Sequence, residues 1–400
     1  MRLTFCFFCI CFTLGFTIQA QTVFEKGMIH DSIPISISGT NDESFALYLP
    51  ENYQESELSS IVFIFEPAAR AAIGIRPFIE ASEKYGHVLV CSNNSRNGPY
   101  ERNFAIANNL FNHIFTNYNI KQDEMYLTGF SGGSRLACAI ASLTNQFAGV
   151  IACGAGFSNL QEHMPSTQDY AYVGLCGDRD MNFKEMLKNK DYLNLMKFNH
   201  TLITYDGDHS WPPPEQILRA FDWLRVQKLK TTNPGESEEV LALYRSDYNK
   251  IEEFKTTGEF LYASEQYERL LKSYTGLISV DSLTKQNQEL LTSKSYKKQS
   301  ASLANVLKME RKLAEKLTTQ IASDFKNPKK ANFGWWEKEL GKLNALKEKG
   351  DTEIQKMVYR LKFDLFARAY SRKNSLLYNS NEEQAALVDR FLNLIYPKTE

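Results

Sequence analysis

The chain has 400 residues, 43% of them hydrophobic and 23% charged, and a formal net charge of −1. That length is enough for two or three folded units, and the composition is ordinary for globular protein. No basic excess points to nucleic acid, and no acidic tail points to disorder.

Residues 1–20 read as a secretory signal peptide. Met1-Arg2 supplies one positive charge, Leu3 to Ile18 is almost wholly apolar, and Ile18 and Ala20 precede a cleavage site before Gln21. The competing reading is an uncleaved anchor, but the apolar run is short against the ~20 residues of a membrane span. The expectation is a secreted or periplasmic protein with no membrane span after cleavage. Three of the seven cysteines leave with the signal. Cys91, Cys138, Cys153 and Cys176 read as small buried residues without zinc spacing, so no metal or cofactor is expected.

From Thr22 to about Leu229 strand and helix patterns alternate. Ile33–Ser38 and Phe45–Pro50 read as short strands, and Ile61–Phe65 is a continuous apolar run, as a strand buried on both faces should be. A helix over Pro77–Tyr85 ends at Gly86, and His87–Cys91 is the next strand. Asn103–Tyr118 is helical, and the strand from Met125 leads into a further helix. Gly149–Cys153, Tyr172–Cys176 and Thr201–Tyr205 are strands, and Glu215–Lys228 is a helix. This order predicts a doubly wound, mostly parallel α/β sheet over residues 21–230.

Pro234-Gly235 within a polar stretch marks a linker or turn at 231–237. Residues 238–400 change character. Phe260, Ala263, Tyr267, Leu270, Leu271 and Tyr274 share one helical face, and Leu361, Leu365, Ala369 and Tyr370 another. An all-α domain of five to seven helices follows from the length, given a mean helix of ~12 residues. The Phe260–Tyr274 stretch looks like one helix of a tetratricopeptide-type pair, but no 34-residue period supports a repeat array.

The chemistry concentrates at Gly129-Phe130-Ser131-Gly132-Gly133, between a short apolar strand and a helix. This is a G-x-S-x-G nucleophile elbow in its strand-turn-helix setting. A sharp turn exposes the Ser131 hydroxyl and crowds its neighbours, so glycines are needed around it. The helix that follows aims its first N–H groups at the site, and Gly132 N–H is the expected oxyanion donor. An acid and a histidine should follow, each on a loop after a strand. His30, His87 and His113 precede the serine, and His200 begins a strand, at the far end of the sheet. His163 is a weaker alternative. His209 lies just after Thr201–Tyr205, where the base belongs. Asp178 and Asp180 follow Tyr172–Cys176, and Asp180 is preferred for its spacing from Gly177.

Together these residues resemble an α/β-hydrolase of the polyhydroxybutyrate depolymerase and feruloyl or acetyl-xylan esterase group. The similarity rests on Tyr126 to Gly133, Gly177-x-x-Asp180 and Gly207-Asp208-His209-Ser210-Trp211-Pro212. It covers residues 30 to 225 and implies a serine esterase using Ser131, Asp180 and His209; the helical domain lies outside it. One segment departs from the group. Where a His-Gly-Gly type sequence is usual, this chain has Phe65-Glu66-Pro67-Ala68-Ala69-Arg70. Pro67 has no N–H, so Ala68 is the expected second oxyanion donor. Arg70 either holds an anionic substrate group or pairs with Glu66. Asn93 and Asn94, at the carboxyl edge of the sheet, and Trp211, as a stacking surface, are expected to bind a small-molecule or carbohydrate-linked ester. Two other readings stand beside the esterase: a prolyl-oligopeptidase-type peptidase, for which no propeller domain is present, and a degenerate scaffold whose helical half binds a protein partner.

Overall fold

The computed structural model describes residues 24–36, 42–326 and 328–397. The expected signal peptide therefore lies outside the described residues. Eight strands form one sheet: β1 (Ile29–Pro34), β2 (Ser44–Tyr48), β3 (Ser59–Phe65), β4 (His87–Ser92), β5 (Ile120–Phe130), β6 (Gly149–Cys153), β7 (Ala171–Gly177) and β8 (His200–Tyr205). Their spatial order is β1-β2-β4-β3-β5-β6-β7-β8. β1 and β2 are antiparallel to their neighbours, and the other pairs are parallel. Every residue of β3 and β4 is buried, because helices cover both faces of the parallel part. β1 is an exposed edge. It starts four residues before the expected Ile33, and residues 37 and 38 of that expected strand lie outside the described residues.

The helices of this half are α1 (Ala71–Ile75), α2 (Ile79–Tyr85), α3 (Tyr100–Asn117), α4 (Gly132–Thr144), α5 (Phe183–Leu195) and α6 (Pro214–Thr232). One face of the sheet packs Leu110, Ile114, Leu136, Ala137 and Met186 of α3, α4 and α5. The other packs Ala71, Ala81, Ile217 and Phe221 of α1, α2 and α6. α5 had no signal in the sequence reading. Only Phe183, Met186 and Leu193 of its thirteen residues are buried, too few to mark a helical face among so many polar neighbours.

Seven helices follow: α7 (Glu238–Thr256), α8 (Phe260–Tyr274), α9 (Asp281–Thr292), α10 (Lys294–Lys326), α11 (Phe333–Lys349), α12 (Thr352–Tyr378) and α13 (Glu382–Ile395). Trp336, Leu340, Met357, Leu361, Leu365, Val388 and Phe391 make a core of their own. A second core joins Val226 and Leu229 of α6 to Val240, Tyr267, Leu270, Tyr274 and Leu283. α6 runs to Thr232, two residues into the expected linker, so the connection is shortened to 233–237, between helices that share a core. Tyr370, placed by its spacing on a buried face, is 51% exposed: one residue on from Ala369 it turns ~100° away from the stripe, which Leu376 continues into the core.

Candidate active site

β5 ends at Phe130 and α4 begins at Gly132, so one residue turns the chain. That residue is Ser131, with φ 52° and ψ −115°, a strained conformation that costs on the order of 1–3 kcal/mol. The turn closes only because its flanks are bare. A Cβ on Gly129 would lie 2.4 Å from the Gly133 carbonyl carbon, and one on Gly133 would lie 1.9 Å from the Phe65 oxygen of β3. Ser131 N–H donates to the Cys153 carbonyl at 2.9 Å, tying the turn to β6.

The loops after β7 and β8 meet over this turn. His209 Nε2 is 3.0 Å from Ser131 Oγ, and His209 Nδ1 is 2.8 Å from Asp180 Oδ2. An ionised carboxylate only accepts, so Nδ1 carries the proton and Nε2 offers its lone pair to the serine O–H. Asn182 N–H holds the other oxygen of Asp180 at 2.8 Å. Asp180 is 1% exposed. Burial raises its pKa, and the bond to His209 works against that rise. Asp178 meets other partners. Its carboxylate takes Tyr262 Oη of α8 and Lys356 Nζ of α12, the latter at 2.7 Å, and its carbonyl accepts from Arg360 at 2.6 Å. His163 is bonded to Ser158 at 2.8 Å, and His200 stands at the opposite end of the sheet.

The oxyanion side differs from expectation. Gly132 opens α4, so its N–H has no carbonyl one turn behind it. The Ala68 N–H is already bonded to Glu66 Oε2 at 2.7 Å, and Ala69 N–H to the Glu66 carbonyl at 3.2 Å. The reason is local. Ala69 adopts φ 60°, which curls the segment around the fully buried Glu66 carboxylate. Arg70 N–H donates to that carboxylate at 3.0 Å, and its guanidinium at 2.5 and 3.2 Å. Of the two readings for Arg70, the structure has the internal pair.

Asn93 and Asn94 are also committed within the fold. Asn93 Nδ2 donates to Asp31 at 2.9 Å, and its oxygen accepts from Ala71 N–H at 3.3 Å. Asn94 Oδ1 accepts from Ser44 N–H at 2.9 Å, and its Nδ2 donates to the Asp42 carbonyl. They staple the loop after β4 to the β1–β2 edge, so these amide groups are engaged within the fold rather than held out for the expected substrate. Trp211 is not an open stacking surface either. It is half-buried, with Phe130 at 5.4 Å and Phe78 at 5.8 Å between ring centroids, and it backs the ring that faces His209.

Sequence reading missed what the helical half brings. Phe363 of α12 lies 5.7 Å from the His209 ring, and Phe130 lies 4.7 Å from it. Tyr359 donates to Asp208 at 3.2 Å. No local pattern signals these contacts, because α12 is some 150 residues downstream of the loop it touches. Asn97, on the polar loop after β4, stands beside Gly132 and lines a cavity of about 160 Å³ with Pro67, Tyr100 and Gly133. Among the described residues no group of His, Cys, Asp and Glu could hold a metal ion, and no helix is long and apolar enough to cross a membrane.

No protein-family model matches the sequence, and no curated protein does. Among solved structures the chain is similar to S-formylglutathione hydrolase from Staphylococcus aureus, with a TM-score of 0.42 and 16% identity over 51% of this chain and 99% of that one. It is also similar to a thermophilic esterase from Thermogutta terrifontis, with a TM-score of 0.41 and 13% identity over 52% of this chain and 95% of that one. A ferulic acid esterase aligns with a TM-score of 0.38 and 13% identity over 47% of this chain and 93% of its own. The strand order, and the strand–serine–helix turn at the end of β5, are those of the α/β-hydrolase fold, and this chain has that fold followed by an all-α region.

Proposed function

We propose that the chain is an exported serine carboxylesterase acting through an acyl-enzyme. The observation that carries this is the continuous hydrogen-bonded series Ser131–His209–Asp180 at 3.0 and 2.8 Å. In the proposed reaction Ser131 Oγ attacks the ester carbonyl carbon as His209 Nε2 takes its proton. The carbonyl π electrons move to oxygen, which the Gly132 N–H stabilises. Collapse expels the alkoxide, which takes the proton from His209. Water then attacks the acyl-enzyme with His209 again as base, releasing the acid and restoring Ser131. Asp180 holds the tautomer throughout and offsets the imidazolium charge.

The substrate we propose is a small-molecule or carbohydrate-linked ester. Phe363 faces the histidine that would protonate the leaving alcohol and Tyr359 holds its neighbour Asp208, so we read the helical region first as wall and clamp of the site. Export rests on the reading of residues 1–20. One observation favours a degenerate scaffold instead: the bond that occupies Ala68 N–H. Losing one oxyanion donor lowers kcat by ~10²–10³ without abolishing the reaction, so the intact Ser–His–Asp series outweighs it.

The test is a fluorophosphonate probe with the full chain, followed by turnover of short p-nitrophenyl esters. We expect labelling that disappears in Ser131→Ala, and ester hydrolysis without cleavage of matching anilides. A folded wild-type chain that neither labels nor turns over would sink the proposal, and anilide cleavage would move it to a peptidase.

A further inference from the structure

We infer that the side-chain amide of Asn97 supplies the second hydrogen bond to the oxyanion, in place of the backbone N–H that this chain has committed to Glu66. The inference rests on the acyl-transfer reading of Ser131 above. A tetrahedral intermediate in acyl transfer is stabilised by donors converging on one oxygen, and asparagine amides serve in that role as well as backbone N–H groups do. Here the segment after β3 has none to give. Pro67 lacks an N–H, and those of Ala68, Ala69 and Arg70 are bonded to Glu66 or its carbonyl.

Asn97 stands at the right place. Its Oδ1 is 1.8 Å from the position a Cβ on Gly132 would take, and its Nδ2 is 3.5 Å from that position. The carboxamide therefore lies against the residue whose N–H is the first donor. This also accounts for glycine at the second variable position of the elbow, where any side chain would meet Asn97. Among the described residues the carboxamide has no hydrogen-bond partner, although the loop carrying it is held firmly. Asn97 N–H donates to the Pro67 carbonyl at 2.9 Å, and Arg96 bridges to Ala68. Asn103 donates to the Arg96 carbonyl at 2.9 Å, and Ser92 Oγ accepts from Ser95 N–H at 3.1 Å. The pinned loop thus presents an exposed amide with no protein partner, its oxygen turned toward Gly132. A half-turn about the Cβ–Cγ bond brings Nδ2 to the side of Gly132, and among the described residues it breaks no hydrogen bond.

The experiment measures kcat and KM on p-nitrophenyl acetate for the full-length wild type, Asn97→Ala, Asn97→Asp, Gly132→Ala and the Asn97→Ala/Gly132→Ala pair. Thermal melts confirm folding. We expect Asn97→Ala to lose ~10²–10³ in kcat with KM nearly unchanged, the signature of an interaction made only in the transition state. Asn97→Asp should lose at least as much, since it sets an acceptor beside the developing charge. Gly132→Ala should reproduce the loss by displacing the carboxamide, and the pair should be no slower than either single variant. Independent roles would instead multiply. An Asn97→Ala protein within threefold of wild-type kcat would overturn the inference and leave the esterase reading standing. No turnover and no Ser131 labelling in the wild type would overturn both.

Discussion

Asp180 is 1% exposed, and burial is the largest influence on its ionisation, raising its pKa. The native state therefore holds this proton more tightly than the unfolded chain does. As pH rises from the ordinary aspartate value of ~3.9 through the raised native value, ionising Asp180 costs folding stability. In the proposed reaction the same charge steadies the imidazolium. Asp180→Asn is accordingly expected to lower kcat by ~10⁴ while its melting temperature at pH 7–8 stays equal to or above the wild type's. Asp178→Asn should do the opposite: most activity kept, and a lower melting temperature, because Tyr262 and Lys356 lose a buried partner. Steady-state kinetics and calorimetry on the two variants separate these outcomes, and a reversed pattern would make Asp178 the acid. At this scale the preference for Asp180 came from spacing alone. Which carboxylate meets His209 depends on how two loops cross.

β4 begins with a residue that gives the sheet a pH dependence of its own. His87 is buried between the rings of Tyr85, Tyr126 and Phe221, 2.6 Å from Ser60 Oγ, and burial takes its pKa down to about 4. The unfolded chain binds a proton there near 6.5 and the native state does not. Stability from this group is thus complete above that value and falls as pH drops from 6.5 toward 4, by about 3 kcal/mol in all. Urea unfolding at pH 7 and pH 4.5 should show that loss, and His87→Gln should show a smaller difference between the two pH values. The elements themselves were largely legible. β3 announced itself by unbroken apolar character and the elbow by its glycines, because both signals are local. The segment after β3 was not. An alanine gives no sign that it will take φ 60°, so the curl of 66–70 around a buried carboxylate could not be read from residue types.

Across the whole molecule a buried arginine connects the two halves. Arg360 of α12 is 1% exposed. It binds Glu310 of α10 at 2.6 Å and the Asp178 carbonyl at 2.6 Å, one turn of chain from Asp180. Removing one partner of such a pair leaves an uncompensated charge, at a cost of about 3–5 kcal/mol. Arg360→Met should destabilise the full chain by that order in denaturant unfolding, and adding Glu310→Leu should recover most of it. If both variants are as stable as wild type, Arg360 does not hold the halves together.

The sequence alone determined the alternation of strands and helices, the change to an all-α region, the elbow, and the order Ser131, Asp180, His209. Each is written in periodicity or in residues close along the chain. Only the tertiary structure decided that Asn93, Asn94 and Trp211 serve the fold, that Glu66 occupies the Ala68 N–H, that Asn97 lies over Gly132, and that α12 reaches His209. Most of these are meetings between segments distant in sequence, and the Glu66 curl follows a backbone turn no residue type marks; the partners of a polar side chain are set by what the fold brings within 3 Å of it.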